Sequence, residues 1–550
     1  MAAEDFDVLV VGAGSAGAVL ASRLSEDPAL RVLLLEAGES SHPLTPMPIS
    51  FGLLHDDPEV NWLYASELEP GLARRSMRVT CGRILGGSSA INGMVWTRGQ
   101  RQDYDDWEAL GARGWGWREV APFFERCEHF VGGEALPARG RSGPIRLSEV
   151  SDPNPLYDAI FAAGAALGYR RNPDYNGASQ DGLALAQASI HLGRRVSVAE
   201  GYLEEARQRP NLRVMTGVQV QNLLLDGRRC TGAAYRRADK FWHVGAQETV
   251  LCAGALGSPQ LLERSGIGNP EVLGSLGIAV VHALPAVGEN LRDHLNTPVV
   301  WRLKDPAHSA NHLAQGLAAF RQLLRYMSQG TGLMSLPFAP LLGFLKTDPL
   351  LARPDVQMHL MPYAIRDTLP RRSEEFPAMT STSCVLRPES VGAVHLRSAD
   401  PREPPGIRFN YLDSPQDQQV ALRGFRLLRR LMATAPMPAL ILDEFAPGQG
   451  VRTDDEVLAW IASRAQSACH PVGTCRMGSS GQTSVVDNKL RVHGIGGLRI
   501  ADASVFPSMP SGNTNAPAIM LGERAADILR STLVLRRRVE SSLDVGSPRA

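Results

Sequence analysis

The sequence predicts an α/β protein built on a doubly wound, Rossmann-type domain. Three features near the N-terminus predict it: an apolar strand, a glycine turn that opens a helix, and a second apolar strand ending in an acid. Phe6–Gly12 (FDVLVVG) is a continuous apolar run, as expected of a strand buried on both faces. From Ser15 to Glu26, Ala16, Val19, Leu20 and Leu24 recur at helical spacing. Arg31–Ala37 (RVLLLEA) reads as the second buried strand. Between strand and helix stands Gly12-Ala13-Gly14-Ser15-Ala16-Gly17. In that pattern Gly12 permits the tight turn, Gly14 admits a pyrophosphate against the backbone, and Gly17 lets helix and strand pack closely. The helix N-terminus offers free N–H groups and partial positive charge to phosphate. Glu36 stands where a carboxylate accepts both ribose hydroxyls, which disfavours a 2′-phosphate. The motif does not distinguish a flavin from a nicotinamide dinucleotide.

Further along, residues 41–120 are rich in Gly, Trp and Pro and read as an extended, loop-dominated excursion. A helix is expected over Leu156–Leu167, after Pro155. Asn211–Leu225 alternates like a strand pair, Asp226–Gly227 marks a turn, and another strand is expected near Gly232–Arg236. Glu248–Cys252 is a short strand leading to a helix over Pro259–Ser265, with Ser258 as N-cap, Pro259 first in the helix and Gly266 after it. Gln315–Met327 has amphipathic helical spacing. Val356–Met361 and Ala393–Leu396 read as strands, and Ala421–Thr434, Asp455–Gln466 and Ala518–Ile528 as helices. Residues 536–550 read as a frayed tail.

Composition narrows the function. Lys plus Arg and Asp plus Glu each number 57, so the chain lacks the basic footprint of a nucleic-acid binder. Seven scattered cysteines without a CxxC argue against a disulfide framework or a zinc site, and point to a reducing, cytoplasmic setting. No metal ligand set is expected. Acidic Glu4 and Asp5 stand where a signal peptide would be basic. The longest apolar stretch, Gly332–Leu345, is broken by Pro337 and Pro340 and falls short of the about 20 residues a membrane span takes. It reads as a lid or substrate-channel segment, and peripheral membrane contact is allowed.

Three later stretches carry chemistry. Gly82-Arg83-Ile84-Leu85-Gly86-Gly87-Ser88-Ser89-Ala90-Ile91-Asn92-Gly93-Met94-Val95 is small-residue backbone suited to lie against a flat or charged ligand. His470, flanked by Pro471 and Gly473, is a candidate general base held in a loop. Gly512-Asn513-Thr514-Asn515-Ala516-Pro517 leads into a helix whose positive end would stabilise developing negative charge.

Together with Gly254–Gly268, Asp174–Gly177, Gly193–Ala199, Val287–His294 and Asp502–Ser504, these stretches resemble the glucose–methanol–choline (GMC) family of FAD-dependent oxidoreductases, closest to choline-dehydrogenase-like members. The resemblance runs from Phe6 to about Leu529. It implies FAD across the doubly wound domain and an α+β substrate domain on an antiparallel sheet. The implied division is 1–300 mainly cofactor-binding with a substrate-domain insertion near 150–195, 301–455 substrate-binding, 456–532 returning to the cofactor domain, and 533–550 as tail. Carried over by position, Gly12, Gly14, Ser15, Ala16, Gly17 and Glu36 hold the pyrophosphate and ribose. Ile84, Gly87, Ser88, Asn92, Gly93, Met94 and Val95 line the flavin, Val220 meets adenine through its backbone, and Asp502 and Ala503 lie near the pyrophosphate and ribityl chain. Ile91 replaces the histidine that attaches FAD covalently in some members, so noncovalent FAD is expected. His470 matches the family's base and Asn515 its partner. Cys469 replaces an aromatic residue of choline oxidases, which argues against a caged quaternary ammonium. The implied reaction is oxidation of a primary alcohol to an aldehyde with a quinone, dye or O2 as electron acceptor. The alternatives are a non-redox lyase or a light-driven decarboxylase on the same scaffold, and, more remotely, a cysteine–histidine nucleophile.

Overall fold

The computed structural model describes residues 5–131, 138–366 and 372–544, with side chains described as far as residue 533. The chain opens with β1 (Asp5–Val11), α1 (Gly17–Leu24) and β2 (Val32–Leu35). The excursion that follows is less loop-like than its composition suggests, since it contains α2 (Arg101–Ala109) and the start of α3 (Trp117–Cys127). α2 is polar around most of its circumference, so no apolar stripe reveals it. A capping box formed by Gln100 and Asp103 starts it, and Tyr104 and Trp107 bury it.

Next come α4 (Pro155–Ala166), β3 (Gly182–Leu185), β4 (Leu212–Met215), β5 (Val218–Asp226), β6 (Arg229–Arg237), β7 (Lys240–Leu251) and α5 (Gly254–Arg264). They are followed by β8 (Leu295–Leu303), α6 (Gly316–Gln329), β9 (Leu341–Leu345), β10 (Val356–Met361) and β11 (Ala378–Val385). The chain then runs through α7 (Pro415–Met432), β12 (Ile441–Ala446), α8 (Asp454–Arg464), β13 (Gln466–Ser467), β14 (Leu498–Ile500) and α9 (Asn515–Asp544).

Two sheets organise these elements. The first runs β4-β2-β1-β7-β6-β5, with β14 also on β7. Its β4, β2, β1, β7 and β14 pair in parallel, and β7, β6 and β5 form an antiparallel meander. The second sheet, β12-β8-β11-β10-β9-β3 with β13 on β8, pairs antiparallel throughout. Each sheet carries its own apolar core.

Three local expectations change. α5 starts at Gly254 and takes Pro259 into its interior, so Ser258 is not its N-cap. Proline leaves the carbonyl of Ala255 without its helical donor, and Thr474 Oγ1 supplies one at 2.6 Å. Within the apolar stretch 332–345, the last five residues are the buried strand β9, and only the part before it, with a helical turn at Leu333–Ser335, lies outside regular strand structure. The last helix continues past the expected tail boundary to Asp544, and residues 545–550 lie outside the described part. α6 forms as expected, but its apolar row of Leu317, Phe320, Leu324 and Met327 faces outward.

Candidate active site

The carboxyl ends of the parallel strands gather at one edge, where open α/β sheets bind ligands. Gly12 follows β1 with φ +102°, and a Cβ there would lie 2.5 Å from the carbonyl oxygen of Cys252. A Cβ on Gly17 would lie 2.0 Å from the Gly12 carbonyl oxygen. Gly14 differs: its Cβ would meet only Gly87 Cα, at 4.0 Å. Two glycines therefore serve packing, and the third borders open space. That cradle fits a dinucleotide phosphate, because a ligand can approach bare backbone at the N-terminus of α1.

Glu36 closes β2. Its carboxylate accepts N–H bonds from Ala13 and Gly38, both at 2.9 Å. Burial pushes its carboxyl up to about 7. β5 is tied to the same spot, since the N–H of Val218 donates to the Glu36 carbonyl at 2.9 Å. Val220 follows two residues later, at a bulge in the β5–β6 ladder.

The loop 82–95 lies over the glycine turn. Gly86 N–H donates to the Ala13 carbonyl at 2.9 Å, and Gly87 crosses so close to Gly14 that a Cβ on Gly87 would stand 2.7 Å from Gly14 Cα. Ser88 Oγ accepts from Gly82 N–H at 3.0 Å. Ile84 is buried with Leu54, Val60, Ala90 and Ile91. Asn92 Oδ1 accepts from Met94 N–H at 3.0 Å and from Arg195 at 2.8 Å. Gly93 backs onto Phe338, Met94 takes φ +63°, and Val95 bridges Ala188. Sequence reasoning missed Arg195, which is fully enclosed and also grips the Asn92 and Thr45 carbonyls. Asp502, after β14, accepts from Gly254 N–H, Ser258 Oγ and Ser504 N–H at 2.9, 2.6 and 2.8 Å. Burial raises its carboxyl above the usual range. Ala503 presents its carbonyl to Gly473 N–H at 3.1 Å, which anchors the loop bearing His470.

His470 sits where the two sheets meet. Its N–H donates to Asp293 Oδ1 at 2.7 Å, and Asp293 also accepts from Ser467 and Tyr411. Its ring lies between two partners: Nδ1 is 3.1 Å from Nδ1 of His294, and Nε2 is 3.1 Å from Nδ2 of Asn513. Asn513 Oδ1 in turn accepts from Gln357 Nε2 at 3.1 Å and Thr97 Oγ1 at 3.4 Å, which orients its amide toward the imidazole. His359, next but one to Gln357 on β10, bonds Thr382 through Nδ1. Its Nε2 and the Gln357 Oε1 are buried without a partner. Burial holds His470 well below the ordinary imidazole range, and its neighbours His294 and His359 push it further down. The Cys469 and Cys475 thiols are raised by burial, which leaves the cysteine–histidine nucleophile without a thiolate at neutral pH.

One expected pairing does not form. Asn515 meets Ser15, whose hydroxyl donates to Asn515 Oδ1 at 2.7 Å, and Asn513 occupies the place beside His470. Asn515 is the first residue of α9, and residues before it are non-helical, so the two asparagines of one short motif serve different neighbours. α9 is held there by close packing: a Cβ on Gly522 would stand 2.6 Å from the Ala16 carbonyl oxygen. Glu523 also accepts from Arg23 and Tyr202 at 2.9 and 2.6 Å. Asn513 and His294 lay in stretches already singled out but without a role, and Gln357 and His359 carried no signal beyond their residue types, because three separate segments bring the four together.

A glycine-turn cradle at a parallel sheet edge, beside a histidine and asparagine cluster held against an antiparallel sheet, defines a two-sheet dinucleotide-dependent oxidoreductase. Residues 6–296 and 388–522 match the two family models described as GMC oxidoreductase. The chain is 38% identical over 531 residues to "Alcohol dehydrogenase [acceptor]" of Pseudomonas putida, covering 95% of each. It is 37% identical over 545 residues to "Oxygen-dependent choline dehydrogenase" of Escherichia coli, covering 97% of each. Among solved structures, formate oxidase superposes with a TM-score of 0.90 at 26% identity, over 96% of this chain and 99% of that one. Pyridoxine 4-oxidase from Mesorbium loti gives 0.86 at 29% identity, over 95% and 98%. The chain belongs to the GMC oxidoreductase family. It is a FAD-dependent enzyme acting on CH–OH donors, with noncovalent FAD, a small-molecule substrate and an electron acceptor. Among the described residues no helix is long and apolar enough to cross a membrane.

Proposed function

We propose that the protein oxidises a primary alcohol to its aldehyde, with His470 as general base. The observation that carries this reading is the ring of His470, half-buried at the sheet seam with Nε2 toward the amide of Asn513. An imidazole held neutral by burial is ready to take a proton. Asn513 Nδ2 then donates to the substrate oxygen and fixes its geometry. Bound FAD supplies the acceptor for the hydride that leaves the alcohol carbon. The residues that fit it are the Gly12–Gly17 turn, Glu36, the loop 84–95, Val220, Asp502 and Ala503, while the N-termini of α1 and α9 converge at Ser15 and Asn515. In this reading 1–300 and 456–532 chiefly carry the cofactor, and 301–455 shape the substrate cavity.

Phe338, against Gly93 and edge-on to His359 at 5.5 Å, gives that cavity an apolar wall. With Cys469 in place of an aromatic residue, an uncharged alcohol with an apolar body fits better than a quaternary ammonium. The final acceptor is O2, a quinone or a dye. Seven free cysteines fit a reducing, cytoplasmic compartment. The test is an anaerobic screen in which alcohols are added to the yellow holoenzyme. Primary alcohols bleach the flavin band and release aldehyde; a flavin that no alcohol bleaches overturns the reading. Repeating the hits in air, with peroxide detection, separates O2 from other acceptors.

A further inference from the structure

We propose that His294 is a positioning residue that fixes which ring nitrogen of His470 carries the proton, and so keeps Nε2 free to act. The inference rests on the reading of His470 as the base. It follows from the order of acceptors along one line. His294 is fully buried, and its Nε2 lies 2.9 Å from the carbonyl oxygen of Leu386. A carbonyl only accepts, so this nitrogen carries the hydrogen. Burial pushes His294 down to about 4, so at neutral pH it holds one ring proton only. Its Nδ1 is therefore a lone pair. That lone pair faces His470 Nδ1 at 3.1 Å, with the rings perpendicular at 87°. Two lone pairs cannot meet there, so His470 Nδ1 carries the hydrogen. Neutral His470 then keeps its own lone pair on Nε2, the atom facing Asn513 Nδ2.

The same arrangement serves the protonated ring. When Nε2 takes the hydroxyl proton, the Nδ1–H bond to His294 is already in place, and nothing has to turn. The other ionisable groups around His470 are Asp293, whose carboxylate accepts the backbone N–H, and His359, which is bonded to Thr382. Neither reaches His470 Nδ1, so the Leu386 carbonyl sets the tautomer through His294.

Two measurements test this on the FAD-loaded enzyme. In ¹⁵N-histidine-labelled protein, the His470 signals are assigned by their loss in His470→Gln. Couplings that show the proton on Nδ1 support the proposal; a proton on Nε2 overturns it, whether or not any His294 variant folds. In stopped flow, His294→Leu is expected to slow flavin reduction about tenfold or more at saturating alcohol, with FAD content and KM little changed. His294→Asn restores an acceptor near the Nδ1 position and is expected to recover most of that loss. A full-speed His294→Leu overturns the proposal and leaves the base intact when His470→Gln is slow. An Asn variant as slow as Leu also overturns it. A full-speed His470→Gln removes the base and the proposal together.

Discussion

The glycine turn at residues 12–17 and the polar cluster around His470 approach each other through Asn513 and Asn515, yet they are built differently. The turn is one contiguous segment whose strand, helix and glycines each follow from local rules. The cluster draws His294, Gln357, His359, His470 and Asn513 from distant parts of the chain and is polar where a core would be apolar. A contiguous motif tolerates no change at its packing glycines. A composite cluster tolerates changes that spare the order of its donors and acceptors.

That contrast breaks most visibly at the glycines. Gly17→Ala drives a Cβ to within 2.0 Å of backbone, and the expected result is apoprotein that loses its cooperative melt or fails to fold. Gly14→Ala meets no such obstacle and is expected to leave the apoprotein melting temperature within about 2 °C while weakening FAD about tenfold or more. Thermal melts and FAD titration separate the two. If both variants unfold alike, Gly14 serves packing rather than the cofactor.

The asparagines sharpen it next. Asn513→Ala is expected to slow flavin reduction about tenfold with FAD retained, since it removes one donor to the reacting oxygen. Asn515→Ala is expected to leave reduction within about threefold and to weaken FAD instead, through the lost bond to Ser15. Stopped-flow reduction and cofactor titration read both, and reversed effects restore the Asn515 pairing.

Those two residues also mark where sequence reading stops. The β1–α1–β2 unit, the strands at 356–361 and 393–396, and the helix after residue 155 were legible from periodicity and turn chemistry, and the helix expected over 421–434 exists but starts six residues earlier, at Pro415. α2 was not, because a helix with few apolar positions shows no stripe. Pro259 pointed to a helix start and sits inside one, because a threonine from a remote loop satisfies the carbonyl it orphans. His470 was legible by its flanking Pro and Gly, but its partner was not. Choosing between Asn513 and Asn515 requires knowing which residue begins α9.

Two smaller effects follow from ionisation. The Glu36 carboxyl is raised to about 7, so the folded apoprotein binds its proton more tightly than the unfolded chain. The stability this group contributes falls as pH rises from about 4.5 to about 7. Glu36→Gln should gain on wild type across that window in apoprotein melts, and a gap constant with pH contradicts the burial argument. His395, bonded to Glu263 of α5 at 2.7 Å and to Glu289, is raised to about 9. Its contribution is full below about 6.5 and is lost as pH rises through about 9. His395→Gln should therefore destabilise most at pH 6 and match wild type above about pH 9.5.

The central claim concerns one imidazole. Anaerobic stopped-flow reduction of His470→Ala by a good alcohol substrate tests it most directly. The account predicts a rate at least about a hundredfold below wild type, with the full 450 nm flavin band retained. A variant that holds FAD and is reduced within about threefold of the wild-type rate would contradict it.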